Sequence, residues 1–399
     1  MSRIAVTGLG TIAPHGDDPQ ALFDAVMAAR SALAPVFPEL PKPAIAATAP
    51  FDERRWFTKL QLAGVDRVSQ IAVAAAQLAM DDAAAAGACA PERLGVYAGC
   101  GMGGAAALDT AYRGARVPPL TIPAFMPNAP ASHVAMRNGA NGPVLTYSVA
   151  CASSAVAIAE AAKAIEADEV DVAIAGGSEA LIVPGVVVAW QAMQTLATFT
   201  ADTSQQAVRP FAADRSGFAL GEGAAFLVLE SERHARRRGA RIRALLSGWG
   251  TSCDAAHLTK PDERGQARAL RAALRRADLD PRDVGYCNAH GTATRVGDVV
   301  ERNALADVWG DDLDRLQVSS TKALHGHLLG ASGALEALIT VLALGARRLP
   351  PNAHCDAVDP ECRLNLVPPG DGSAPSLEHA ISNSFAFGGT NCVLAFSRA

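Results

Sequence analysis

Cys151 stands at the point in "YSVACASSAVAIAEAAKAI" where an apolar, β-prone run gives way to an alanine-rich, helix-prone one. A cysteine at the start of a helix has unpaired backbone N–H groups beside it and the positive end of the helix dipole, which together favour thiolate over thiol. The same N–H groups could hold the oxyanion that forms when sulfur attacks a carbonyl, so one turn would supply nucleophile and stabiliser together. The competing reading is a small buried hydrophobe, the commoner fate of a lone cysteine. In the second half of the chain, "NAHGTAT" and "SSTKALHGHLLGASGALE" place His290, Lys322 and His327 in glycine-rich loops ahead of helix-like runs. "ISNSFAFGGTN" adds a further glycine turn near the C-terminus.

Positioning these residues falls to short β-branched runs that alternate with alanine-rich stretches. The pattern predicts strands at "RIAVTGLG", "RLGVYAGCG", "PVLTYSVA" and "DVAIAGGSE", with helices near 20–30, 67–87 and 152–167. After "AAFLVLES" it begins again, with strands at "RIRALLSGWG", "VGYCNAHG" and "LQVSS", helices over 265–277, 298–308 and 331–346, and a final hairpin. Strands alternating with helices imply parallel sheets covered by helices on both faces. The recurrence predicts two similar halves that meet near residues 231–241.

Composition bounds the function classes. Of 399 residues, 50% are hydrophobic and 19% charged, enough apolar chain for a large core and an enzyme-sized domain. The net charge of −5 gives no support for nucleic-acid binding. The basic run "ERHARRRGARIR" reads as a solvated helix end, or alternatively as a contact for an acidic partner. The eight cysteines include no Cys-x-x-Cys pair and no zinc-type spacing, which argues against a disulfide framework and a structural metal. "MSRIAVTGLG" is too brief for the apolar region of a signal peptide, and stretches such as "VDVAIAGGSEALIVPGVVVAW" are interrupted short of a membrane span. A soluble cytoplasmic protein with no membrane partner is expected. Gly99, Gly101 and Gly104 match a dinucleotide fingerprint, but the acidic residue that should end a second strand is missing, so an oxidoreductase has only those glycines behind it.

Taken with "RPFAADRSGFALGEGAA", the cysteine, histidine and glycine-turn segments resemble the β-ketoacyl-acyl carrier protein synthases, the decarboxylating condensing enzymes of fatty acid and polyketide synthesis. The resemblance runs from "IAVTGLG" to "ISNSFAFGGTN", nearly the whole chain. It implies a thiolase-like α/β fold of two matching halves stacked as five layers, αβαβα. Residues 1–235 would carry the nucleophile and 236–399 the two histidines. It further implies that Cys151 takes the acyl group, and that His290 and His327 present N–H donors to the enolate left by decarboxylation of a malonyl thioester, which needs no metal. Lys322 and Glu336 would order the histidine site and Asp298 would tie the His290 loop. Phe387 would gate the acyl pocket and lend its N–H to the oxyanion hole, with Gly388 and Gly389 letting backbone approach the substrate and Met102 lining the pocket.

His325 reads as a structural residue. No cofactor is expected apart from the phosphopantetheine on which acyl carrier protein bears the substrates. The implied assembly is a homodimer, or a heterodimer with a related ketosynthase-like subunit. Several features depart from the family pattern: few bases in "WFTKLQLAGVDRVSQ", no early arginine in "LATFTADTSQQAVRPF", a tight stretch between Met102 and Cys151, and Ala386 in place of a glycine. They point to a specialised pathway or a non-identical partner. Two alternatives share the fold: a non-catalytic chain-length-factor-type partner, which would lack the nucleophile, and a biosynthetic thiolase, for which Cys392 is the weak candidate for a second cysteine.

Overall fold

Each β-prone run of the first half becomes a strand, and the second half repeats the same wiring. In the computed structural model, which describes residues 3–114 and 117–399, the first set is β1 (Ile4–Ile12), β2 (Leu94–Gly99), β3 (Val144–Tyr147), β4 (Val172–Glu179) and β5 (Gly223–Ser231). The second set is β6 (Ala244–Cys253), β7 (Tyr286–Asn288), β8 (Gln317–Ser319), β9 (His379–Phe385) and β10 (Thr390–Ser397). The strands lie in the order 1-5-4-2-3 and 6-10-9-7-8, with the short strand Asn365–Leu366 added beyond β8. In both sets the first two pairings are antiparallel and the next two parallel. An antiparallel pairing of Ile4–Val6 with Ala244–Leu246 joins the sets.

Five layers follow from how the strands alternate. Along β5, Ala225, Leu227 and Leu229 face a central core, while Phe226 and Val228 face an outer one. The outer core is covered by α1 (Arg67–Asp82) and α2 (Ala129–Asn138). Between the sheets lie α3 (Ser153–Glu166) and α6 (Ser332–Ala346), and the far face of the second sheet is covered by α4 (Glu263–Ala277) and α5 (Arg295–Trp309). Strands with apolar residues on both faces are what a sheet covered on both sides requires.

The two central helices set up everything that follows. Neither has a side-chain N-cap; each is entered through a 3₁₀ turn, Ala150–Ala152 before α3 and Leu329–Ala331 before α6. The first residue of each turn has a positive φ, 48° at Ala150 and 45° at Leu329, a strained geometry for a side chain with Cβ. The turns share a sequence, Ala152-Ser153-Ser154-Ala155 against Ala331-Ser332-Gly333-Ala334, so the repeat is legible at residue level once the strands are superposed in order. The helices cross where these small residues meet. A Cβ on Gly333 would lie 2.8 Å from that of Ala155, and the Ala334 N–H donates to Ser154 Oγ at 2.9 Å. Close crossing brings the two N-terminal turns together at the middle of the molecule.

One expectation about apolar stretches is corrected. Leu329–Ala346 is long and apolar enough to cross a membrane, but 83% of it is buried between the two sheets, which accounts for its composition.

Candidate active site

Cys151 occupies the middle of the first 3₁₀ turn and is buried. Ser153 Oγ locks the turn, donating to the Ala150 carbonyl at 2.6 Å and accepting from the Val149 N–H at 3.0 Å. His327 comes from the other half, in the loop between the short helix Lys322–His325 and the second 3₁₀ turn. Its backbone is held on both sides: the His327 N–H donates to Ala219 O at 2.7 Å and the Gly221 N–H to His327 O at 2.9 Å. Its ring is oriented as well. Nδ1 accepts from the Leu329 N–H at 3.3 Å and lies 2.8 Å from Ser332 Oγ, so the ring proton belongs on Nε2, which is 3.0 Å from Cys151 Sγ.

His290 follows β7. The Glu301 carboxylate, reaching from α5, accepts from the His290 N–H at 2.9 Å and the Gly291 N–H at 2.7 Å. The His290 ring stands at 81° to that of His327 with centroids 5.5 Å apart. One ligating atom from each of Cys151, His290 and His327 lies within 4.8 Å of the other two. Thiol and imidazole are also soft-metal ligands by type. Here the assigned His327 tautomer places Nε2–H toward the sulfur, the arrangement of a hydrogen-bonded cysteine–histidine pair.

The electrostatics of the site are set by burial. Desolvation, reinforced by the nearby Lys322 charge, holds both His290 and His327 well below the ordinary histidine value, so both are neutral N–H donors at physiological pH. The Cys151 thiol is pushed up to about 12 by burial, with the Lys322 charge and the Phe387 backbone N–H pulling the other way. Burial of the sulfur therefore opposes the thiolate that the helix start favours. Lys322 itself is wholly buried and ion-paired with Glu336, whose carboxyl burial raises to about 7 against the pull of that same lysine.

The other anticipated residues fall into place unevenly. The Phe387 N–H faces Cys151, and its ring stacks on Trp190 at 6.2 Å. Trp190 packs edge-on against Phe218 at 5.4 Å, and Phe218 against His327 at 5.2 Å, so an aromatic row runs from the gate turn to the histidine. Gly388 and Gly389 have φ of 86° and 77°, and a Cβ on Gly389 would meet that of Asp254 at 2.8 Å. Asp298 accepts from the Phe211 N–H at 2.8 Å and lies 3.6 Å from Nε of Arg215, which donates to Thr294 O at 3.1 Å, so it reaches the far end of the His290 loop through Arg215, while Glu301 holds His290 itself. His325 is pinned away from the site, with Nδ1 2.8 Å from Gly326 O and Nε2 2.9 Å from Thr321 Oγ1. Met102 is 47% exposed and is not among the residues lining the cavity that contains Cys151.

Sequence reasoning passed over Glu301 and Glu179. Glu179 is buried at the end of β4, where it accepts from the Gly101 N–H at 2.8 Å, the Met102 N–H at 3.2 Å and the Gly330 N–H at 3.0 Å. It fastens the loop after β2 to the turn before α6, and burial raises it to about 7 against those three bonds. An acid ending an apolar strand was the available signal. The three fingerprint glycines serve close packing: added Cβ atoms would reach Ser154 N at 2.2 Å from Gly99, Glu179 Oε2 at 2.5 Å from Gly101 and Ala124 O at 2.2 Å from Gly104. Cys392 lies fully buried on β10 in the central core, with its thiol pushed up to about 12, out of reach of any base chemistry.

A cavity of about 530 Å³ opens over Cys151, His290 and His327, walled by Trp190, Phe218, Phe385 and Phe387. Its donors sit on two repeats, and both repeats match known sequence families. Residues 1–235 match the β-ketoacyl synthase N-terminal domain and residues 243–356 its C-terminal domain. The chain belongs to the β-ketoacyl synthase family. Among curated relatives, Nodulation protein E of Rhizobium meliloti (strain 1021) is 39% identical, covering 99% of both chains. The 3-oxoacyl-[acyl-carrier-protein] synthase 2 of Staphylococcus aureus (strain COL) is 35% identical, covering 99% of this chain and 98% of that one. Among solved structures, a type II polyketide synthase acyl carrier protein in complex with its ketosynthase bound to the hexaketide matches with a TM-score of 0.91 at 27% identity, over 100% of both chains. The two-half, five-layer arrangement of this β-ketoacyl synthase is therefore the fold that the resemblance implied.

Proposed function

We propose that this protein is a β-ketoacyl-acyl carrier protein synthase in which Cys151 carries the growing acyl group. The observation that carries the reading is the convergence of Cys151, His290 and His327 on one cavity, with the His327 Nε2–H 3.0 Å from the sulfur. An acyl thioester exchanges its carrier thiol for Cys151, with the Phe387 N–H beside the sulfur as oxyanion donor. A malonyl thioester then enters, its C–C bond to the carboxylate breaks, carbon dioxide leaves, and the electron pair moves onto the thioester oxygen as an enolate. Two neutral imidazole N–H donors stabilise that charge. The enolate carbon attacks the acyl carbonyl on Cys151, and the tetrahedral intermediate expels the Cys151 thiolate and a 3-oxoacyl thioester. Lys322, paired with Glu336, sets the potential around all three residues from behind.

The substrates are borne by acyl carrier protein, a reading supported by the synthase 2 relative and by the ketosynthase complex, and the arm that enters the cavity is phosphopantetheine. A dimer is inferred from β3, an edge strand bonded only to β2 within the first sheet, beside which Leu145, Met136 and Met126 are exposed. Met102 lies in the loop that packs against Phe125 next to this face, and a partner covering it would give Met102 the pocket-lining role that the single chain leaves open. The eight free cysteines favour a reducing, cytoplasmic compartment. Incubation with acyl carrier protein thioesters followed by intact-mass spectrometry tests the central step. Wild type should gain one acyl group and Cys151→Ala none; full acylation of the alanine variant would refute the proposal.

A further inference from the structure

Glu179 is a wholly buried acid with no part in the chemistry above. Its two oxygens face different neighbours: Oε2 accepts from the Gly101 N–H at 2.8 Å and the Gly330 N–H at 3.0 Å, and Oε1 from the Met102 N–H at 3.2 Å, with the Cys100 thiol 3.9 Å away. Gly101 and Gly330 press on the same oxygen from the two halves of the chain. A Cβ on either would lie 2.5 Å from Oε2, and one on Gly330 would also lie 2.5 Å from the Gly101 N. The Gly101 loop is a firm abutment: the Cys100 N–H donates to Tyr147 O, Ser148 Oγ to Gly101 O and the Gly104 N–H to Phe125 O, each at 3.1 Å.

On the other side of Glu179, Gly330 sits in the 3₁₀ turn next to Leu329, whose N–H reaches His327 Nδ1 over 3.3 Å. The second neighbour of Nδ1, Ser332 Oγ at 2.8 Å, can donate or accept. The Leu329 N–H can only donate, so it is the group that keeps the ring proton on Nε2. A bond already this long is lost if the turn backs away by about half an ångström. Ser332 Oγ can then accept from Nδ1–H, and a ring in that tautomer turns a lone pair toward Cys151 and leaves the enolate one N–H donor short. The turn also needs holding, because Leu329 carries a φ of 45°, a strained geometry that persists only when its surroundings impose it. Resting on the condensing-enzyme reading, we propose that Glu179 is a positioning residue for decarboxylation: by holding the Gly330 N–H it fixes the Leu329 turn, and through that turn the Nε2–H tautomer of His327. The role demands reach more than charge.

Two conservative variants of the full-length protein separate reach from charge. Glu179→Gln keeps the length and puts an amide oxygen where Oε2 accepts, whereas Glu179→Asp keeps the carboxylate and falls one methylene short. Acylation of Cys151 is followed by intact-mass spectrometry, and decarboxylation by carbon dioxide release from malonyl carrier protein. The Gln variant should do both at close to the wild-type rate. The Asp variant should still take up the acyl group at close to that rate but lose roughly ten- to a hundredfold in carbon dioxide release. Ring-nitrogen NMR, with His327 identified by the signal that His327→Ala removes, should show the Nε2–H tautomer in wild type and the Gln variant and a shift toward Nδ1–H in the Asp variant. An Asp variant whose acylation falls as far as its release, or whose tautomer is unchanged, would overturn the proposal, and so would a Gln variant weaker than the Asp one. Absence of carbon dioxide release by wild type would remove the condensing reading itself, whereas release that both variants retain removes only this role of Glu179.

Discussion

Burial works against thiolate at Cys151, so the free thiol should react slowly near neutral pH. Alkylation by iodoacetamide should therefore climb by about tenfold per pH unit from about pH 6 to about pH 9, following a thiolate fraction that is small and growing throughout. The sign follows from burial, which disfavours the charged form and raises the thiol to about 12. A rate that levels off below about pH 8 would show that Lys322 and the Phe387 N–H prevail over burial. The histidines act on a different step, being neutral donors pinned in place. His290→Ala and His327→Ala should still accept an acyl group but lose on the order of 10²–10³ in condensation rate, measured as 3-oxoacyl product in single turnover. Cys151 stood out where a β-prone run meets an alanine-rich one, and both histidines through their glycine-rich contexts. Glu301 and Glu179 did not, because a carboxylate held mainly by backbone N–H groups carries no motif.

At the scale of elements, the site is the product of two helix entries pressed together. Gly333 exists to let α6 meet α3, since its missing Cβ would overlap Ala155. Gly333→Leu should cost about 1–3 kcal/mol in chemical denaturation and also slow acylation, because it separates the Cys151 and His327 turns. A purely local clash would lower stability and leave the acylation rate untouched. The Lys322–Glu336 pair couples the loop before His327 to α6, both partners wholly buried. Lys322→Ala strands the Glu336 carboxyl in the core and should destabilise by about 3–5 kcal/mol, whereas a Lys322→Met/Glu336→Leu double variant should recover most of that loss without recovering condensation. Equal instability of single and double variants would mean that the pair's shape matters more than its charge. Helix positions were readable from alanine-rich periodicity to within a few residues. The 3₁₀ entries were not, because a positive φ at Ala150 or Leu329 is imposed by tertiary packing and leaves no mark on residue type.

The whole molecule is a duplicated unit, and duplication explains why chemistry sits at its centre. The first half brings the nucleophile on its turn; the second brings His327 just ahead of the matching turn, where Gly330 stands in the place that Cys151 holds in the first. The order 1-5-4-2-3 followed by 6-10-9-7-8 could be suspected from alternating strands and helices, but strand order is set by long-range pairing that no local pattern encodes. The edge strand β3 gives the assembly prediction. Leu145→Arg should shift the protein from dimer to monomer in sedimentation, and an unchanged mass would move the interface elsewhere. The central claim, that this duplicated scaffold decarboxylates a malonyl thioester, is tested most directly by release of labelled carbon dioxide from malonyl-acyl carrier protein. Wild type pre-acylated on Cys151 should release one carbon dioxide per 3-oxoacyl product formed, and the His290→Ala/His327→Ala double variant almost none. Unchanged release from the double variant would contradict the account.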